Sequence, residues 1–397
     1  MARRPKNATH PKSRAAWRQW LEDNHTQTEG VWLVSCKKAA GKPRVEYEDS
    51  VEEATKRRES VMEMRMLGSQ GLGVSSLGLG CMGMSDLYGA ADEAESIATI
   101  RAALEAGVTL FDTADFYGMG HNELLLREAL RGGARDRAVL SVKFGALRNP
   151  AAGWTGVDAR PAAVKNFLAY TLRRLGTEYV DIYRPARVDP SVPIEDTVGA
   201  MAEMVKAGYV RYLGLSEVSG ETLRRAHAVH PITDVQIEYS LFSRGIEAAI
   251  LPTCRQLKVG VTAYGVLSRG LLSGHWSKER PVRDFRGMLP RFQGQNLDRN
   301  LALVEALLPI AKAKGASVAQ VAIGWVLSRG ADIVPLVGAR RRDRLAEALT
   351  ATDLVLSSED LASIEQAIPD HAAAGDRYHP HGMAGLDSER RSEKKGI

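Results

Sequence analysis

Cysteine is scarce in this chain: Cys36, Cys81 and Cys254 are the only three, widely spaced and odd in number. That pattern fits neither a disulfide framework nor a zinc site, so no metal is expected and the reducing cytoplasm is the expected compartment. Long apolar runs are missing too, since none approaches the ~18 residues that span a bilayer. Arg3, Arg4 and Lys6 open the chain with no apolar stretch behind them, which does not read as a secretory signal. Charge of one sign is also lacking. Residues 1–60 carry 13 Lys/Arg against 9 Asp/Glu, which leaves 40 against 39 for the rest. A neutral main body gives no footing for nucleic-acid binding.

What is present is an ordinary globular composition, 44% hydrophobic and 25% charged over 397 residues. That is room for one large α/β domain with an appendage, or for two domains. From Met66 a small hairpin, turning at Gln70-Gly71, leads into an alternation of apolar strands and amphipathic helices. Strands are predicted at 76–80, 108–112, 139–143, 179–183, 210–215, 234–237, 259–264 and 333–337. Helices are predicted at 93–106, 123–130, 161–175, 195–207, 220–229, 246–257, 298–314 and 318–329, with a last one starting near Arg342. Gly107, Gly208 and Gly330 supply C-terminal stops. Eight strand–helix repeats in this length predict a (β/α)₈ TIM barrel. The alternative is an open doubly wound sheet, for which Gly78, Gly80 and Gly83 match the dinucleotide spacing. That motif needs a helix opening at its third glycine, and residues 85–91 read as loop, so the barrel is preferred.

The stretch 108–145 carries the chemistry. Two apolar strands joined by a helix end in Asp112 and Lys143, with Tyr117 in the loop beside them. Parallel strands are buried on both faces, so a carboxylate and an ammonium at their ends need a reason. A phenol titrates near ~10. An adjacent ammonium favours its phenolate, and a carboxylate behind the ammonium keeps that charged and aimed. The structural alternative is an ion pair closing the rim, with Tyr117 as packing. The remaining strand ends are also polar or glycine: Gly80, Tyr183 to Arg187, Ser216-Glu217, Gln236, Tyr264 and Gly338 to Arg340. Capping explains one or two of these but not the set.

These stretches resemble the aldo-keto reductases over roughly residues 64–370. The resemblance is carried by Leu77–Met84, Phe111–Gly118, Ser141–Gly145, Gly214–Glu217, Val235–Leu241, Ala263–Gly270 and Val337–Arg340. The tail, Ala374–Tyr378 and Leu386–Arg390, is similar to one bacterial branch of that family. The resemblance implies Tyr117 as general acid, tuned by Lys143 and Asp112. It implies Ser216 and Gln236 on the nicotinamide carboxamide, Tyr264 stacked on the ring and backbone near Leu267 on the pyrophosphate. Gly80 and Gly338 complete the cofactor-binding set. Arg340 and Arg344 would take the adenosine 2′-phosphate, which favours NADPH over NADH, and Glu347 would face the adenine. This chain departs from the family in three places. Ala186 stands where the family has a catalytic histidine, Glu217 where it has Asn beside Ser216, and Ala348 where it has Asn after Glu347. Arg184 and Arg187 flank Ala186 and are the candidates to replace the lost donor.

Residues 11–54 resemble the start of the YdeI-type family of small bacterial proteins, breaking off into Thr55–Ser60. The sequence predicts a helix from Ser13 through Glu22, a strand at Val31–Ser35 and a polar helix from Ser50. The expected organisation is a truncated appendage over 1–60 and a barrel with its tail over 61–397. The expected activity is NADPH-dependent reduction of a small aldehyde or ketone. The alternative is an NADPH-binding regulatory or sensor protein of the same fold. Loops 146–158 and 275–296 would select the substrate, with Trp154, Trp276, Phe285 and Phe292 suggesting an apolar or aromatic one.

Overall fold

The computed structural model describes residues 8–9, 13–23, 32–33, 62–85, 87–279 and 282–390. The chain divides into two compact units, Met1–Val61 and Met62–Ile397. The first contains a helix, Arg14–Asp23, and two short parallel strands, β1 (Ala8–Thr9) and β2 (Trp32–Leu33). Trp17 stacks on Trp20 across one helical turn, with ring centroids 5.4 Å apart. The polar helix expected from Ser50 lies outside the described residues.

The second unit is a closed barrel of eight parallel strands. In chain order they are β5 (Gly78–Gly80), β6 (Leu110–Ala114), β7 (Val139–Phe144), β10 (Val180–Pro185), β11 (Val210–Ser216), β12 (Ile232–Glu238), β13 (Gly260–Tyr264) and β14 (Ile333–Gly338), while β8 (Ala146–Arg148) and β9 (Trp154–Val157) form a separate antiparallel hairpin where a loop was expected. Strand β14 pairs back to β5, which closes the ring and removes the open-sheet alternative. Helices follow the strands, and their starts show local reasons. Asp92 caps Glu93–Glu105, accepting from the Glu95 amide, and Pro161 opens Pro161–Leu175 where no amide donor is needed. The single helix expected at 298–314 is instead two, Gly294–Glu305 and Leu308–Ala313. Pro309 cannot donate to the carbonyl one turn before it, so the chain breaks there. The helix expected from residue 246 starts at Ile250, where Pro252 falls in its first turn.

The N-terminal end of the barrel is stoppered by an antiparallel hairpin, β3 (Met64–Leu67) with β4 (Leu72–Ser75). Leu67, Leu72 and Val74 pack there against Leu110, Ile182, Val334 and Leu336. Gly68 lets the hairpin sit flush. Its φ is +72°, and a Cβ would lie 2.3 Å from the Thr233 carbonyl oxygen. Arg65 ties the stopper down, donating to the carbonyls of Ile333 (2.7 Å) and Gly330 (3.0 Å).

Above this plug the barrel interior is polar. Arg184, fully buried, donates to Asp234 Oδ2 (2.9 Å) and Ser141 Oγ (2.9 Å). Thr262 Oγ1 donates to the same Asp234 oxygen, and Ser141 Oγ donates to Asp112 Oδ2 (2.9 Å). A continuous ladder of hydrogen bonds therefore climbs from mid-barrel towards the C-terminal rim. Among the described residues no helix is long and apolar enough to cross a membrane.

Candidate active site

Strands β6 and β7 are neighbours in register, Asp112 opposite Ser141 and Ala114 opposite Lys143. Neither Asp112 nor Lys143 is the last residue of its strand, but both point into the barrel near the rim. Lys143 Nζ donates to Asp112 Oδ1 in a buried ion pair. The second carboxylate oxygen accepts from Ser141 Oγ and from Gln236 Nε2 (2.7 Å). Tyr117 follows β6 in a tight turn, and Lys143 Nζ lies 5.1 Å from its ring centroid. Phe116 packs edge-on against Tyr117, centroids 5.0 Å apart. The three residues singled out as catalytic are thus brought together.

Their electrostatics differ from the expectation. Burial, then the Asp112 charge, push the Tyr117 phenol well above its ordinary value, with Arg187 pulling the other way. Burial also lowers the Lys143 ammonium, against the Asp112 carboxylate that raises it. The phenol keeps its proton more firmly than the sequence argument predicted, because desolvation and the Asp112 charge outweigh the Arg187 guanidinium.

The remaining predicted residues are placed as follows. Ser216 ends β11 with its Oγ buried and without a hydrogen-bond partner. Gln236 is spent on Asp112. The Tyr264 hydroxyl donates to Glu217 Oε1 (2.6 Å) and lies 3.2 Å from the Tyr378 hydroxyl. Gly80 and Gly338 face each other across β5 and β14. Leu267 precedes three consecutive positive-φ residues, Ser268 to Gly270. Arg340 Nη1 donates to the carbonyls of Tyr88 (3.1 Å) and Ala90 (3.1 Å), beside an open cleft of about 660 Å³ also lined by Glu95, Arg341 and Arg342. Arg344 instead bonds Glu347 Oε2 (3.0 Å) and His275. Arg340 and Arg344 therefore have different partners, while Arg344 and Glu347 pair along the helix Arg342–Leu349.

Two features were not anticipated. The first is a buried ionic cluster that binds the tail to the mouth. Arg377 grips Glu217 with both arms, 2.9 Å to each oxygen, and also reaches Glu389 (2.6 Å). Ser388 Oγ donates to Glu217 (2.5 Å), and Asp387 accepts from the Ser219 amide (2.8 Å). Next to it, Glu238 holds Arg269 (2.9 Å) and Arg291 (3.4 Å). Although burial alone would raise them, these cations hold Glu217 well below the usual carboxylate range and Glu238 at about 2. Glu217 has φ +53°, a conformation that costs a residue with a Cβ about 1–2 kcal/mol and that Asn tolerates better. The forked Arg377 contact is what holds a glutamate there. The family departure at 217 thus becomes the anchor of the tail.

The second is Asp115, two residues before Tyr117. No side chain among the described residues donates to either of its carboxyl oxygens, and the Gly145 and Phe116 amides pull it down only weakly against burial. Burial and the charge of Glu123 push it up to about 7. Glu123 itself is satisfied on one oxygen only, by Arg174.

A closed parallel barrel with a phenol, an ammonium and a carboxylate gathered at its C-terminal rim is the architecture of a barrel enzyme that handles protons on a small substrate. The comparisons agree. The sequence model of the Aldo/keto reductase family matches residues 76–369. A probable aldo-keto reductase of Glycine max is 42% identical over 315 residues, covering 79% of this chain and 91% of that one. Among solved structures, a glycerol dehydrogenase from Gluconobacter oxydans superposes with a TM-score of 0.71 at 28% identity, covering 80% of this chain and 98% of that one. The holo form of an aldo-keto reductase from Bacillus halodurans gives 0.65 at 27% identity, covering 78% and 99%. The chain belongs to the aldo-keto reductase family, oxidoreductases of carbonyl compounds that generally use nicotinamide cofactors. Residues 9–56 match a domain of unknown function, which assigns that segment no activity.

The residues present fit such a cofactor. Ser216 Oγ, orphaned in a buried position, is an open hydrogen-bonding site where a carboxamide is expected. In the open cleft Arg341 and Arg342 are paired with Asp343 and Glu95, whereas Arg340 meets backbone carbonyls and keeps its charge available to a phosphate.

Proposed function

We propose that this protein reduces aldehydes or ketones to alcohols with NADPH, Tyr117 giving the proton to the carbonyl oxygen. The observation that carries this reading is the buried Lys143–Asp112 pair set beneath the Tyr117 ring. A reduced nicotinamide, when bound, would supply the hydride for the carbonyl carbon. As the carbonyl π pair moves onto oxygen, that oxygen becomes basic enough to take the proton a raised-pKa phenol otherwise keeps. Lys143 offsets the phenolate charge this leaves, and Asp112 keeps the ammonium aimed. Ser141 fixes Asp112 in turn.

Ser216 and Gln236 would hold the carboxamide, Gln236 by releasing Asp112, and the Tyr264 ring would face the nicotinamide. Backbone at Gly80, Leu267 and Gly338 would follow the pyrophosphate. Arg340 and Arg344 would favour NADPH over NADH, with Glu347 orienting Arg344 as well as meeting the adenine. Residues 1–60 are a separate appendage in this reading, and the protein acts in the cytoplasm. Deleting them should leave barrel turnover unchanged.

The test is oxidation of NADPH, and separately NADH, against a panel of simple aldehydes and ketones. The expected result is turnover with both and a lower KM for NADPH. Tight NADPH binding with no turnover across the panel would instead select a regulatory or sensor role. Ala186 in the histidine position is the observation that favours that second reading.

A further inference from the structure

Ala186 removes a hydrogen-bond donor from the carbonyl site, yet the barrel mouth is not short of one. The Ala186 amide bonds the Phe144 carbonyl (2.8 Å), so β10 runs on beside β7 to this point. The Ala186 side chain is buried in one cluster with Ala114, Phe116 and Tyr117. A methyl therefore stands against the catalytic turn where a longer side chain would reach the substrate.

The two neighbouring arginines behave differently. Arg184 points into the barrel, has no exposed surface and is committed to Asp234 and Ser141. It cannot reach a substrate without breaking the interior ladder. Arg187 lies past the strand end, and its Nη1 folds back on the Ala186 carbonyl (2.6 Å). That contact pins the guanidinium over the residue that replaces the imidazole. No carboxylate among the described residues forms an ion pair with it, so most of its five N–H groups stay uncommitted. It is half-buried by surface area, and the groups whose charge it feels, Tyr264, Tyr378 and Glu217, are those of the barrel mouth. Its charge bears on both Tyr117 and Lys143, the largest influence acting against the burial and Asp112 effects that raise the phenol.

We propose that Arg187 is a further catalytic residue, donating an N–H bond to the substrate carbonyl oxygen beside Tyr117 in place of the absent histidine. This rests on the reductase reading above. Arg187 transfers no proton. The carbon gains the hydride, the C=O π pair passes to oxygen, and the Tyr117 O–H bond breaks to protonate it. Arg187 holds the oxygen in line and offsets the negative charge that grows on it, a type of contact worth about 10²–10³ in kcat.

The experiment compares purified full-length wild type, Arg187→Met and Tyr117→Phe. It measures steady-state reduction of one neutral aldehyde, and NADPH affinity by fluorescence titration without substrate. The expected result is a loss of about 10²-fold in kcat for Arg187→Met, with NADPH affinity within threefold of wild type. Added guanidinium should restore part of the rate in Arg187→Ala, and Ala186→His should restore part of it in Arg187→Met. Turnover of Arg187→Met within twofold of wild type overturns the assignment, and so does a loss confined to KM, which would make Arg187 a binding group. An equal loss of NADPH affinity would make it a cofactor residue and overturns it too. Should Arg187→Met not fold, Arg187→Lys and the guanidinium rescue of Arg187→Ala decide alone; no rescue overturns it. Full activity in Tyr117→Phe would sink the underlying reading instead, so the two failures are distinguishable.

Discussion

The two ends of this barrel are built on opposite principles. At the hairpin end, Leu67, Leu72 and Val74 close the ring with apolar contacts, and one arginine ties down backbone carbonyls. At the mouth, buried carboxylates and guanidiniums meet in a network that spans the strand ends and the tail. The first arrangement is dry and gains stability directly from burial. The second must offset a large desolvation cost by pairing, so it returns little net stability but fixes geometry. The fold is held from below, and the chemistry is arranged above.

The largest expected effect breaks the mouth. Arg377→Met leaves Glu217 buried and unpaired at a positive φ, and should cost about 3–5 kcal/mol in denaturant unfolding. Replacing Glu217 as well, by Gln, should recover part of that loss. Leu67→Ala is the matching change at the other end and should cost about 3 kcal/mol. Its kcat per folded molecule should stay within twofold of wild type; a large drop in kcat would blur the division between the two ends.

Asp115→Asn sharpens the comparison through pH. The folded-state pKa of Asp115 is raised, so its contribution to stability is present below the unfolded value near ~4 and lost as pH rises through about 7. Asp115→Asn should therefore be more stable than wild type at pH 5.5, by about 2 kcal/mol, and nearly equal at pH 4. Thermal unfolding at the two pH values checks this, and a difference that grows towards acid would have the wrong sign. The smallest effect is at the cofactor's outer end. Arg340→Ala should raise the KM for NADPH about tenfold relative to NADH, a loss of about 1.4 kcal/mol. Equal changes for both cofactors would remove Arg340 from phosphate recognition.

What could be read from the sequence was whatever violates a local rule. Asp112 and Lys143 stood out because strands of a parallel barrel should be apolar, and a barrel was countable from its repeats. The helix break at Pro309 was missed, because the periodic pattern around it argued for one long helix. The Glu217–Arg377 fork was not legible, since its members are 160 residues apart and nothing local links them. Arg184 looked as able to reach substrate as Arg187, because strand direction at the rim decides which one turns inward. The small hairpin of Ala146–Arg148 with Trp154–Val157 also escaped, lacking any clear apolar alternation.

The account turns on the hydroxyl of Tyr117, and the most direct measurement is the single-turnover rate of NADPH oxidation by Tyr117→Phe with a saturating aldehyde. The account predicts a loss of about 10³-fold, with Tm and NADPH affinity unchanged. A rate equal to wild type would contradict it.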